Sequence, residues 1–148
     1  MLYTAGRSRT HGLGVFATGF LPRGTVWWRA TLDDVISVSE HQYRLLAGSR
    51  CDDDASRSLL TDLLHYAYDL EEIDRLLYIC DDARYLNHSF EPNSEGMPCV
   101  RDAHGTLVLY SMTLRDVEEG EELFEDYTNY DHCVWAPLYG DFGRMIGV

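Results

Sequence analysis

The chain contains no lysine. All twelve basic residues are arginine, set against 25 acidic ones, which leaves a net charge of −13 over 148 residues. Such a balance repels nucleic-acid phosphate and argues against direct DNA or RNA binding, while it attracts Lys- or Arg-rich protein partners. Solubility alone would account for the same charge, and drift toward arginine codons for the missing lysine. Long apolar runs are also lacking: none approaches the roughly 20 residues that span a bilayer. The opening MLYTAGRSRTHG has no apolar stretch of the kind a secretory signal carries. The expectation is an intracellular protein with no membrane association. Four cysteines (Cys51, Cys80, Cys99, Cys133) form no C-x-x-C pair, so a zinc ribbon is disfavoured and reduced, packed thiols are expected. Repeats, low-complexity tracts and Pro/Gly/Ser-rich linkers are missing too, and the length suits one domain over residues 1–148.

What is present reads as α+β and mainly β. GLGVFAT is a Gly-flanked apolar run, and LPRGTVWWRA follows a turn with β-branched and aromatic residues; both are expected to be edge-type strands. From Ser56 to Tyr68 the apolar positions Leu59, Leu60, Leu63, Leu64 and Ala67 share one helical face. A shorter helix is expected from Glu40 to Ala47, stopped by Gly48. Strand signals return in RLLYIC, in a hairpin that turns near His104 and Gly105, and in EELFEDY. Many short strands around a helical insert at about residues 33–75 give the fold class.

Three short stretches carry candidate chemistry. Gly12-Leu13-Gly14 lets backbone approach a ligand closely or simply makes a turn; it lacks the third glycine and following helix of a dinucleotide site. ARYLNHSFEPN (Ala83–Asn93) crowds Asn87, His88, Ser89 and Asn93 around a proline, which secures a loop. His88 has no second His or Cys at ligand spacing, so a pocket-shaping ring is expected and no metal. The third stretch is GEELFEDY, Gly120–Tyr127, a charged turn that runs into a strand ending in tyrosine.

In order and identity, GLG, RYLNHSFEPN and GEELFEDY resemble the SET-domain protein lysine methyltransferases, and GVFAT, PRGTV and LRDVEEGEEL are similar to that family's connecting sequence. In VWWRA and YICDDARYLNHS the likeness is to compact bacterial-type members. The resemblance implies small curved β-sheets with a helical insert and a C-terminal pseudo-knot that brings the N-H-S and E-L-x-x-D-Y motifs together. It implies S-adenosyl-L-methionine as cofactor, with Gly12, Leu13 and Gly14 offering backbone contacts. Arg84, Asn87 and His88 would complete the pocket, Asn87 near the amino-acid part and His88 near the adenine, and Tyr127 would be the catalytic tyrosine. The segment 128–148, with Tyr130, Trp135, Tyr139 and Phe142, would cover cofactor and lysine channel. The implied substrate is a lysine in a basic, histone-like protein, and a chain without lysine offers itself no target. The location is then cytoplasmic, or a host nucleus for an effector. The alternative is a non-catalytic SET-fold module that binds a basic partner through its acidic surface.

Two positions depart from the family pattern. Arg29-Ala30-Thr31-Leu32 stands where many eukaryotic members have E-Y-x-G, so Trp27, Trp28, Tyr66 or Tyr68 would have to supply the missing wall. Glu125 stands two before the tyrosine, where Phe or Tyr is frequent. A carboxylate there favours a charged amine unless it points away, is protonated, or captures the incoming ammonium. Trp28, Tyr66, Glu125 and Tyr130 are thus the candidate substrate-channel residues.

Overall fold

The computed structural model describes residues 1–48, 54–131 and 133–136, which fall into two compact units. The first unit comprises Met1–Asp34 and Cys80–Asn129. It opens with a strand that the sequence reading missed, β1 (Tyr3–Arg7), paired antiparallel with β2 (Leu13–Ala17). Next come β3 (Val26–Thr31), the two-residue β7 (Asn87–His88), β8 (Ser94–Arg101), β9 (Leu107–Thr113) and β10 (Glu122–Glu125). They form two sheets, ordered β1-β2-β10-β7 and β3-β9-β8. β2 is therefore interior to its sheet and not an edge strand: its GVFAT run pairs on one side with β1 and on the other with β10, which is why Val15 and Ala17 are buried. The hairpin expected near His104–Gly105 is present as β8–β9.

The decisive pairing is between segments far apart in sequence. β10 runs parallel to β7 with Phe124 opposite Asn87 and Glu125 opposite His88. Entry to β10 is set by Gly120 at φ 79°, a left-handed conformation that favours glycine; its N–H donates to the Ala17 carbonyl at 2.8 Å, locking the turn to the end of β2. On the other side of β10, Asn93 acts as a strand surrogate. Its Oδ1 accepts from Phe124 N–H (2.8 Å) and its Nδ2 donates to the Glu122 carbonyl (2.7 Å).

By the two-residue alternation of a strand, β10 directs Leu123 and Glu125, both buried, to one face and leaves Glu122 and Phe124 on the other. Within this unit the core includes Val15, Trp27, Trp28, Leu109, Val117 and Leu123. Trp27 donates its Nε1–H to Ser94 Oγ (2.7 Å) and meets Tyr3 edge-to-face at 5.2 Å. The Tyr3–Trp27 ring contact joins the two sheets, while the Trp27–Ser94 bond, within β3-β9-β8, satisfies polar groups that burial would otherwise penalise.

The second unit comprises Val35–Ile79 and the described residues from Tyr130 onward. Its sheet is ordered β4-β6-β5, from β4 (Val35–Ser39), β5 (Tyr68–Leu70) and β6 (Arg75–Ile79), with helices α1 (Glu40–Gly48) and α2 (Asp54–Tyr66). The insert at 33–75 is thus helical only in part, because β4 and β5 share it with the two helices. A capping box starts α1: Gln42 N–H donates to Ser39 Oγ (3.1 Å) and Ser39 N–H to Gln42 Oε1 (2.9 Å). On α2, Leu63 is buried with Val38 and Leu76. Leu59 is 62% exposed and lies off the expected apolar face. No described helix is long and apolar enough to cross a membrane.

Candidate active site

The glycine loop, Asn87 and β10 converge on one carboxylate. Ser8 N–H donates to the Gly12 carbonyl (2.9 Å), closing a loop between β1 and β2 with Gly12 at φ 49°. The Ser8 hydroxyl accepts from Thr10 N–H (2.9 Å) and His11 N–H (3.3 Å) and donates to Glu122 Oε2 (3.0 Å). Asn87 Nδ2 donates to the carbonyls of His11 (3.2 Å) and Leu13 (2.9 Å) and to Glu122 Oε1 (3.0 Å). All three neighbours are acceptors, which fixes the amide orientation. Among the described residues no donor reaches Asn87 Oδ1, which stands as the amide's acceptor for a ligand. A Cβ on Gly14 would overlap Glu122 Oε1 and crowd Ser8 Cβ at 3.1 Å. Gly14 therefore lacks a side chain because Glu122 needs the space.

One register step along β7 stands His88. Its Nδ1 accepts from Tyr127 N–H (3.1 Å), so this nitrogen carries no proton and the ring is neutral. Burial holds the imidazole pKa below its ordinary value, and Asp126, with Oδ1 at 3.8 Å, opposes part of that shift. Phe90 meets the His88 ring edge-to-face at 4.5 Å and is 61% exposed. The Tyr127 ring lies 5.5 Å from His88, and its hydroxyl donates to the Leu86 carbonyl. Burial, and then the charge of Glu125, push the phenol far above its ordinary range. Tyr127 is thus a protonated hydroxyl held at a fixed point, and is unsuited to act as a base.

Of the expected site residues, Gly12, Leu13, Gly14, Asn87, His88 and Tyr127 all lie in this region of the first unit. The carbonyls of Gly12 and Leu13 already accept bonds from the protein. Arg84 turns to the carbonyls of Cys80 (3.3 Å) and Asp81 (2.9 Å), to the Tyr85 hydroxyl (2.8 Å) and over the Tyr85 ring. Those contacts brace the 3-10 turn Asp82–Tyr85 that leads into β7. Trp28 is buried and donates to Asp81 Oδ2 (3.1 Å), a core position in place of an open wall. Glu125 is also buried and accepts from Ser94 Oγ (3.0 Å), on the opposite face of β10 from Glu122.

Tyr66 and Tyr130 belong to the second unit, Tyr66 edge-on to His65 at 4.6 Å. Trp135, expected to cover the cofactor, instead packs on the Val38–Leu63–Leu76 cluster and donates to Asp74 Oδ1 (2.6 Å). Tyr139 and Phe142 lie outside the described residues. Sequence reasoning missed Ser8, Glu122 and the surrogate-strand role of Asn93. The available signal for Glu122 was alternation, a charged position adjoining the apolar Leu123 within a short strand.

A family model for the SET domain matches residues 12–128. The chain belongs to the SET domain family. Solved structures repeat the fold at low identity. A Plasmodium falciparum candidate histone methyltransferase is 19% identical, with a TM-score of 0.55 over 90% of this chain and 96% of that one. A humanized mutant of the Chaetomium thermophilum Polycomb Repressive Complex 2, bound to an inhibitor, is 18% identical, with a TM-score of 0.59 over 88% of this chain. This SET domain spans only 15% of that longer chain. Among curated proteins no sequence relative is found. The mainly β, α+β architecture expected from the motifs is therefore the SET fold, and its N-H-S and E-L-x-x-D-Y motifs meet through β7 and β10.

Proposed function

We propose that this SET domain transfers a methyl group from S-adenosyl-L-methionine to the side-chain amine of a lysine in a basic protein. The observation that carries the reading is the parallel β7–β10 pair, which sets Asn87 and His88 against Tyr127, with Tyr127 bonded through its N–H to His88 and through its O–H to Leu86. The residues fit the cofactor: Asn87 Oδ1 offers an acceptor for an ammonium, the Gly12–Gly14 turn leaves Gly12 open where a Cβ would meet nothing, and exposed Phe90 beside His88 offers an apolar face for a base.

When bound, the cofactor supplies a methyl group activated on a cationic sulfonium. The protein then has to align, dehydrate and keep the lysine neutral. Holding an amine of pKa ~10.4 uncharged at pH 7 takes about 4–5 kcal/mol, and a site that excludes water beside a cation shifts the balance that way. Tyr127 cannot supply the base, since its own proton is held more tightly than usual. Its hydroxyl oxygen, fixed by the bond to Leu86, would orient the methyl of a bound cofactor through weak C–H···O contacts and so favour in-line transfer.

The acidic composition suits a basic partner, and the compartment we infer is intracellular. The test is radiolabelled methyl transfer to a panel of histone-like and ribosomal proteins, with products located by mass spectrometry. Transfer to lysine that falls at least about 100-fold in Tyr127→Phe supports the reading. Calorimetry that detects no S-adenosyl-L-methionine binding overturns it.

A further inference from the structure

We infer that Glu122 is a positioning residue for the cofactor loop, acting as the double acceptor that holds Ser8–Gly14 and Asn87 in one arrangement before any ligand arrives. The inference rests on the cofactor reading above and concerns how that site is built. The argument is a donor–acceptor account. Ser8 Oγ already accepts two backbone N–H groups, from Thr10 and His11, which fills both of its lone pairs. Its own hydrogen must therefore be donated, and it goes to Glu122 Oε2. Asn87 Nδ2 presents only donors, and one of them goes to Glu122 Oε1.

Position 122 is thus faced by two donors, from residues 8 and 87, and needs two acceptors and no donor. An ionised carboxylate meets that demand. A glutamine cannot, because its amide NH2 would confront either the Asn87 NH2 or a Ser8 oxygen with no lone pair left. Gly14 completes the device, since any side chain there would occupy the volume of the Glu122 carboxylate.

The consequence is preorganisation. With the Asn87 donors committed to the loop and to Glu122, Oδ1 is left to face a ligand, and the loop is ordered before binding, so less entropy is lost on association. Glu122 makes this arrangement without itself taking part in methyl transfer.

The test compares wild type, Glu122→Gln and Ser8→Ala by amide hydrogen exchange of the free protein and by calorimetry with S-adenosyl-L-methionine. The expected result is faster exchange at Ser8, Thr10 and His11 in both variants. Affinity should weaken about tenfold in Glu122→Gln, the scale of one lost hydrogen bond to a charged group. The kcat at saturating cofactor should change by no more than about twofold, because the loss lies in binding. In Glu122→Gln/Ser8→Ala the effects should be non-additive, the double variant binding no worse than Glu122→Gln alone.

Unchanged exchange at these three amides in Glu122→Gln overturns the inference, as does strict additivity of the two substitutions. Should Glu122→Gln fail to fold, Ser8→Ala, at a half-buried loop position, decides alone: unchanged exchange at Thr10 and His11 refutes it. Exchange is read without ligand, so a protein that binds no cofactor would refute the functional reading while the loop result still stands or falls by itself.

Discussion

Replacing Asn93 by alanine should destabilise the first unit by about 2–4 kcal/mol. Asn93 is 1% exposed, and its side chain closes two bonds to β10, from Phe124 N–H and to the Glu122 carbonyl. Alanine leaves one N–H and one C=O of β10 without these partners. Each stranded group costs about 1–3 kcal/mol when fully buried. The end of β10 is partly accessible, so water recovers some of that, and the sum falls in the lower half of the range. For a chain of this length such a loss lowers Tm by about 5–15 °C. Asn93→Asp is a sharper control. One oxygen can still accept from Phe124, but the other faces the Glu122 carbonyl, acceptor against acceptor, with a charge buried as well. Urea unfolding followed by tryptophan fluorescence suits the measurement, because Trp27 is bonded to Ser94, the next residue. A loss below about 1 kcal/mol for Asn93→Ala at an unchanged unfolding slope would refute the view that this amide stands in for a strand.

Three further outcomes follow from the buried titratable groups. His88 has a folded-state pKa below its ordinary 6.5, so the unfolded chain takes up its proton first as pH falls. The stability from a neutral His88 is complete above pH 6.5 and is lost as pH drops through the lower folded value. Melting curves from pH 5 to 8 should show a shallower dependence in His88→Gln, and identical slopes would contradict this. Burial, with Asp69 and Asp74 adding to it, pushes the Cys133 thiol up to about 11. Only about one in a thousand molecules is then thiolate at pH 8, so a disulfide reagent should label exposed Cys80 quickly and Cys133 only on unfolding; equal labelling in peptide mass spectrometry would refute it. Glu125→Gln keeps an acceptor for Ser94 but removes the charge that helps raise the Tyr127 phenol. Its pKa should fall while staying above the ordinary range, because burial is the larger cause. Alkaline ultraviolet titration against Tyr127→Phe in both backgrounds checks this, and an unmoved transition would exclude the coupling.

Legibility tracked how local the controlling physics was. The helix from Glu40 was readable because its cap, Ser39 with Gln42, lies within four residues. The residues of the site were readable because their motifs are contiguous. Their relation was not readable from periodicity: β7 has only two residues, and its parallel pairing with β10 joins positions 87 and 124. A strand that short carries no pattern of its own, so the family resemblance supplied what alternation could not. Trp135 was misjudged for a similar reason. An aromatic after the tyrosine looks like a cover, yet the distant Asp74 and the Val38–Leu63–Leu76 cluster determine where it goes. Glu125 looked like a channel residue until its partner Ser94, remote in sequence, was located on the core side of β10.

The acidic composition takes on a second meaning from these partners. Asp81 accepts from Trp28 Nε1 and Ala83 N–H and is hydrogen-bonded to the Tyr3 hydroxyl. Asp69 accepts from Cys133 N–H at 2.6 Å, Asp74 from Trp135, Glu125 from Ser94, and Glu122 from Ser8 and Asn87. At Asp81 and Glu122 several donors converge, and a side chain that only accepts satisfies them best. These carboxylates are part of the construction of the fold: Asp69 and Glu125 are buried and Glu122 half-buried, while Asp74 and Asp81 also face solvent. The basic partner proposed above would meet outward-facing residues such as Glu71, Glu72, Glu118 and Glu119, which are exposed. Because exposed charges are screened by salt and buried ones much less so, these outward-facing glutamates separate physically from buried Glu125 and half-buried Glu122. Partner affinity should follow ionic strength, while the order of the Ser8–Gly14 loop and of β10 should not.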